Sequence, residues 1–165
     1  MHATLMAALA AALALGADEL KVVTGRATAA PSGDTLSIMD GARTQWTVIL
    51  SGISAPGPKQ PFGGKARDIL ASTVLGKSVR VEVSERDRAG RVHGVLFVGD
   101  VNVNVAMVRA GWAFHNLKLA YDDRDLAAAE ADARRNRRGV WSDPRTVSPW
   151  EGFVPKGPKK APKKK

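Results

Sequence analysis

The sequence predicts an α+β fold: a β-barrel with helices, specifically a five-stranded OB-type Greek-key barrel with about three helices. Three observations carry that expectation. The segments run three strands, a helix, two strands and two helices, and a helix between the third and fourth of five strands is the order of such a barrel. Val79, Val81 and Val83 alternate with Arg80 and Glu82, the period of a strand with one buried and one wetted face. Apolar residues make up 44% of the 165 residues with no internal repeat, which suits one core in a single domain.

Taken in order, Lys21 to Thr28 reads as the first strand, and Ala29 to Gly33, with Pro31 inside it, as a turn. Thr35 to Met39 is the second strand, and Asp40-Gly41 is a strong hairpin signal before the third, Thr44 to Leu50. Ser51 to Gly64 contains Pro56, Pro58 and Pro61, whose missing donors exclude both a helix and a central strand. Lys65 to Leu75 sets Ala66, Ile69, Leu70, Thr73 and Val74 on one helical face, with Gly76 as its cap. Ser78 to Ser84 is the fourth strand, Asp87 to Gly90 a charged turn, and Arg91 to Val98 the fifth strand, turned by Gly99-Asp100. Asn104 to Ala110 reads as a short helix stopped by Gly111. Asp122 to Arg138 is the longest helix, acidic in its first turn and rich in arginine in its last, as the helix dipole favours.

The formal net charge is +9, from 25 Lys and Arg against 16 Asp and Glu. Six of the lysines lie in the last eleven residues, which hold no acid, so the other 154 carry only +3. The basicity points to anionic partners and resides mainly in the tail. Residues 155 to 165 are Lys, Pro, Gly and Ala alone; they can bury nothing and are expected to be disordered. There is no cysteine, which excludes disulfides, thiol chemistry and cysteine zinc sites. Leu5 to Leu15 is an unbroken run of Leu, Met and Ala followed by Gly16-Ala17-Asp18-Glu19. It is too short to span a bilayer and reads as the core of a signal peptide over residues 1–17, which implies a secreted or periplasmic protein.

Six short motifs in order carry a resemblance. They are Ser32-Gly33-Asp34-Thr35-Leu36, Ile53-Ser54-Ala55-Pro56, Gln60-Pro61-Phe62-Gly63, Asp87-Arg88-Ala89-Gly90-Arg91, Val103-Asn104 through Val108-Arg109-Ala110-Gly111-Trp112-Ala113, and Gly139-Val140-Trp141-Ser142. Together they make residues 20–154 resemble the staphylococcal-nuclease (thermonuclease) family. The resemblance implies an OB-type barrel and phosphodiester hydrolysis at a calcium site built from carboxylates, with a glutamate acting on water and two arginines on the phosphate.

Matched residue by residue, most of that implied site is replaced. Asp34 corresponds to the first calcium-ligand aspartate and Arg91 to the second phosphate arginine. Ile49 stands for the first arginine, Ser54 for the second calcium aspartate and Gly57 for the glutamate. Ala55 and Ala89 replace a threonine and an aromatic, and Leu117 and Leu119 fall where nucleotide-contacting tyrosines are placed. The loss does not hinge on the alignment, because no Asp or Glu occurs between Asp40 and Asp68.

Each remaining residue has two readings. Asp34 is a surviving metal ligand or a turn residue making Asx-type hydrogen bonds. Arg91 holds a phosphate or pairs with Asp87 or Asp34. His93 reads as a strand residue and His115 as a loop residue, too isolated to be a catalytic pair. Trp112 and Trp141 read as core, and Trp46 and Phe62 as packed rather than as base-stacking platforms. No cofactor is expected, save calcium if the site is an active, rearranged one. The function expected is a catalytically degenerate module that binds nucleic acid or another anionic polymer through Arg88, Arg91, Lys156, Lys159, Lys160, Lys163, Lys164 and Lys165. The alternatives are an active phosphodiesterase of this type built on Asp34 and Arg91, and an envelope protein whose barrel binds protein partners. No transmembrane span is expected in the mature chain.

Overall fold

The computed structural model describes residues 21–146 and 148–150. The signal peptide read over residues 1–17 and the lysine tail over 155–165 lie outside these described residues.

Five strands form the barrel: β1 (Val22–Ser32), β2 (Thr35–Met39), β3 (Gln45–Leu50), β5 (Ser78–Arg86) and β6 (Val92–Val98). A two-residue strand, β4 (Ile53–Ser54), lies between β3 and β5 in the chain. The hydrogen-bonded order is β3-β2-β1-β5-β6, and a parallel pairing of β3 with β6 closes it. That pairing sets Val48 opposite Val92, Ile49 opposite His93 and Leu50 opposite Gly94. The alternation read in the sequence decides which side is inside: Leu36, Ile38, Val48, Leu50, Val81, Val92 and Leu96 are buried. Thr35, Ile49 and His93 therefore point outward, in one row across three strands.

The first helix, α1 (Gly63–Val74), covers one end of the barrel with Ala66, Leu70 and Val74, as its spacing predicts. After β6 come β7 (Val101–Asn102) and α2 (Val103–Arg109), whose N-cap Asn102 accepts from the Val105 amide. Then follow β8 (Phe114–His115), α3 (Leu117–Ala120) and α4 (Arg124–Arg135), capped by Asp123. A 3-10 turn runs over Gly139–Ser142. Gly111 and Gly139 lie back to back: both have positive φ, and a Cβ on either would collide with backbone of the other's segment. Among the described residues no helix is long and apolar enough to cross a membrane.

Two expectations need correction. Ala29 to Gly33 is not all turn: β1 continues to Ser32, with register breaks between Ala27 and Ala29 and between Ala29 and Ser32 that accommodate Pro31. The last helix is shorter than 122–138, because Arg137 adopts φ 51° and the Asn136 amide bonds back to the Asp132 carbonyl. The helices among the described residues are α1, α2, the four-residue α3 and α4, in keeping with the expected barrel.

Candidate functional site

Asp34 sits in the tight turn between β1 and β2. Its Oδ1 accepts the hydroxyls of Ser32 (2.7 Å) and Thr35 (3.2 Å), and its Oδ2 accepts the Ala55 amide (2.9 Å). Its main-chain carbonyl accepts the Leu50 amide at 2.8 Å. One aspartate thus ties the first turn to the end of β3 and to the proline loop. These are Asx-type hydrogen bonds of a turn residue.

Ser54 lies in β4, opposite Phe114 of β8. Gly57 follows in a turn closed by Gln60: the Gly57 amide donates to Gln60 Oε1 (2.7 Å), and its carbonyl accepts the Gln60 amide (2.8 Å). Ile49, half-buried, lies between Thr35 and His93 in the outward row. A calcium ion, which the family resemblance implies, needs six or more oxygen ligands with carboxylates prominent among them. Asp34 already accepts three hydrogen bonds, and Ser54, Gly57 and Ile49 add no carboxylate. Among the described residues no three His, Asp or Glu side chains converge as a metal site requires. The residues present do not fit the ion.

Arg91 immediately precedes β6 and is half exposed. It pairs with Asp87, not Asp34: Arg91 Nε donates to Asp87 Oδ2 at 2.7 Å. The turn between them is built on the same carboxylate, whose Oδ1 accepts the amides of Ala89 (3.0 Å) and Arg91 (2.9 Å). Burial raises the Asp87 carboxyl, but the Arg91 amide and guanidinium and the His93 ring outweigh it and bring it down to about 2. His93 Nε2 lies 3.2 Å from Asp87 Oδ2, the atom that Arg91 also reaches. Arg88 is exposed at the tip of this turn.

The sequence reading did not bring His93 to the site. Strand alternation could have placed it on the outward face, but only the β3–β6 pairing sets it beside Ile49. Asn104 was also unassigned beyond its motif. It is buried, accepts the Leu96 amide on Oδ1 (3.0 Å), and donates through Nδ2 to the carbonyls of Ser51 (2.8 Å) and Gly94 (3.2 Å). It therefore pins the strands that close the barrel under the outward row.

The other aromatic and histidine readings resolve by packing. Trp46 donates Nε1 to Asp40 Oδ2 at 2.8 Å and carries the Arg86 guanidinium over its ring. Phe114 meets Trp141 edge to face, with ring centroids 5.3 Å apart. His115 is not a loop residue: it is buried in β8, its amide donating to Glu130 and its Nε2 lying 2.5 Å from the Ala120 carbonyl. Leu117 opens α3 half-buried, and Leu119 is 70% exposed. The two lie on that four-residue helix and not in the outward row. Beyond Pro56 a concavity of about 460 Å³ is lined by Phe62, Phe114, Val140 and Arg145 among others. It adjoins the proline loop, and the carboxylate in its lining, Asp143, is paired with Arg145 at 2.8 Å.

A family model described as "Staphylococcal nuclease homologue" matches residues 47–143. An uncharacterized endonuclease of Escherichia coli is 39% identical over 129 residues, covering 76% of this chain and 82% of that protein. A micrococcal nuclease of Shigella flexneri is 35% identical over 162 residues, covering 87% of this chain and 92% of its own length. Protein ParB of Escherichia coli is 36% identical over 130 residues, 72% of each.

Proposed function

The chain belongs to the staphylococcal nuclease homologues, and on that footing we propose that it is a member that binds nucleic acid or another anionic polymer without calcium-dependent hydrolysis. The single observation that carries this reading is the occupancy of Asp34: its carboxylate is engaged by Ser32, Thr35 and Ala55, while Ser54 and Gly57 stand where further carboxylates would have to be. A lone carboxylate so engaged offers neither a tight calcium site nor a group to activate water. What remains is cationic. Arg88 and Arg91 flank the outward row, and Lys156, Lys159, Lys160, Lys163, Lys164 and Lys165 supply a second, sequence-local charge for a polyanion. The apolar run over residues 5–15 supports export to a secreted or periplasmic location, tested by the mass of the mature chain.

A second reading, an active phosphodiesterase with a rearranged site on Asp34 and Arg91, is favoured by the nuclease names that two of the relatives carry. One experiment separates them. Protein free of contaminating nuclease is incubated with single-stranded DNA and RNA, with calcium or with chelator. The binding reading expects no calcium-stimulated cleavage. Cleavage that needs calcium and disappears in Asp34→Ala or Arg91→Ala establishes the second reading instead.

A further inference from the structure

We propose that the arginine-rich end of α4 is a contact surface for the phosphates of a nucleic-acid strand; this rests on the binding reading above and gives it a second site, on the helical layer. Arg134, Arg135, Arg137 and Arg138 crowd into one short stretch. Arg109 at the end of α2 joins them, because Arg138 Nη1 donates to the Arg109 carbonyl at 3.1 Å and Gly111 packs against Gly139. The acids among them are Glu130 and Asp132, while Asp125 lines the same shallow cleft as Arg109. Arginines therefore outnumber carboxylates, and none of these residues belongs to the outward row or to the β5–β6 turn.

Folding accounts for three of the four. Cations in a last helical turn oppose the helix dipole, which suits Arg134 and Arg135. Asp132 accepts Arg135 Nη2 on Oδ1 (3.0 Å) and Arg138 Nη1 on Oδ2 (2.6 Å). Arg134 reaches Glu130 at 3.3 Å and lies over the Trp141 ring, 4.1 Å from its centroid. A guanidinium held on an aromatic face gives up little freedom when it takes a phosphate. Arg137 has no such account. The helix ends in a Schellman motif: the Arg138 amide donates to the Ala133 carbonyl (3.0 Å) and the Arg137 amide to the Arg134 carbonyl (3.1 Å). Arg137 fills the left-handed position of that motif at φ 51°, where glycine carries the least strain. Its side chain is exposed and forms no ion pair among the described residues. Folding alone favours glycine there, whereas an anion favours the arginine. Every cation of the cluster is an arginine, whose planar fork takes two phosphate oxygens at once where lysine offers a point charge.

The test uses the full chain. Binding of a 5′-labelled oligothymidylate is followed by anisotropy over a series of salt concentrations. Arg137→Gly relieves the backbone, so its melting midpoint is expected to rise by about 2–4 °C. The same variant is expected to bind roughly three- to tenfold more weakly at low salt, with the slope of log K against log salt flattened by about 0.7, one phosphate contact. Arg43 is the matched control: it too is an exposed arginine at positive φ (62°), but it sits between β2 and β3, away from the cluster. Arg43→Gly removes the same charge and the same strain, and is expected to keep the wild-type slope and an affinity within about twofold of wild type. Equal weakening in the two variants overturns the proposal, because net charge alone is then at work. An Arg137→Gly protein that matches wild type in affinity and slope overturns it while leaving the binding reading intact. A wild type that binds no oligonucleotide overturns both. Equal weakening of Arg137→Gly toward a sulfated polysaccharide overturns the assignment to phosphate.

Discussion

Asp87 accepts the Arg91 guanidinium at 2.7 Å while its other oxygen accepts the Arg91 main-chain amide at 2.9 Å, so a single acid both shapes the β5–β6 turn and aims the arginine that follows it. The carboxyl is held at about 2, below its ordinary range. Its folded value lies below its unfolded one, so its contribution to stability is fully present above the unfolded pKa of about 4. That contribution fades as pH falls from about 4 toward 2. Acid unfolding followed by circular dichroism is expected to show a shallower loss over this window in Asp87→Asn than in wild type. The variant starts from lower stability near neutrality. Parallel curves for the two proteins contradict the assignment. Asp143, brought to about 2 by hydrogen bonds from Arg145, contributes over the same window, so the slope is reduced and not abolished.

Asn104→Ala is expected to lower stability by about 2–4 kcal/mol, measured by chemical denaturation. The change strands the buried Leu96 amide and opens a small void beneath the closure of β3 on β6. A loss below about 0.5 kcal/mol, the scale of an ordinary surface change, counts against its role in pinning the barrel.

Thermal melting in excess chelator is expected to give the same midpoint as melting with calcium. The core rests on buried Val, Leu and Ile side chains, and Asp34 is satisfied by Ser32, Thr35 and Ala55. A large fall on chelation identifies a metal that the chain requires to fold.

The triple change Ile49→Arg, Ser54→Asp, Gly57→Glu is expected to create calcium binding detectable by calorimetry. Gly57 can carry the new side chain, since a Cβ there meets only the Gln60 side chain, at 3.4 Å or more. No heat of binding from a folded triple variant means that the backbone around Asp34 has diverged beyond repair by side chains.

Removing residues 155–165 is expected to flatten the salt dependence of polyanion binding. Six lysines fully engaged on a single strand give a slope of roughly −4 in log K against log salt, at about −0.7 per phosphate neutralised. A slope that survives the truncation places the binding surface on the barrel, with Arg88 and Arg91 as its first candidates.

Several features of this protein follow from the chain read alone. The alternation of Val79, Val81 and Val83, the face formed by Ala66, Leu70 and Val74, and the stop at Gly111 are local periodicities and local backbone preferences, legible without a partner. The shortage of carboxylates between Asp40 and Asp68 is a matter of composition, so no folding could reverse it. Local signals failed where a neighbour decided the outcome. Ala29 to Ser32 stays in a strand because β2 pairs with it, and β4 exists only because β8 lies alongside. Periodicity states which side of a strand is wet, but the partner across a sheet is selected by packing of the whole chain. The closure of β3 on β6 therefore had to be seen in three dimensions before Ile49 and His93 became neighbours, Asn104 became the pin between Ser51 and Gly94, and Arg91 found Asp87 instead of Asp34.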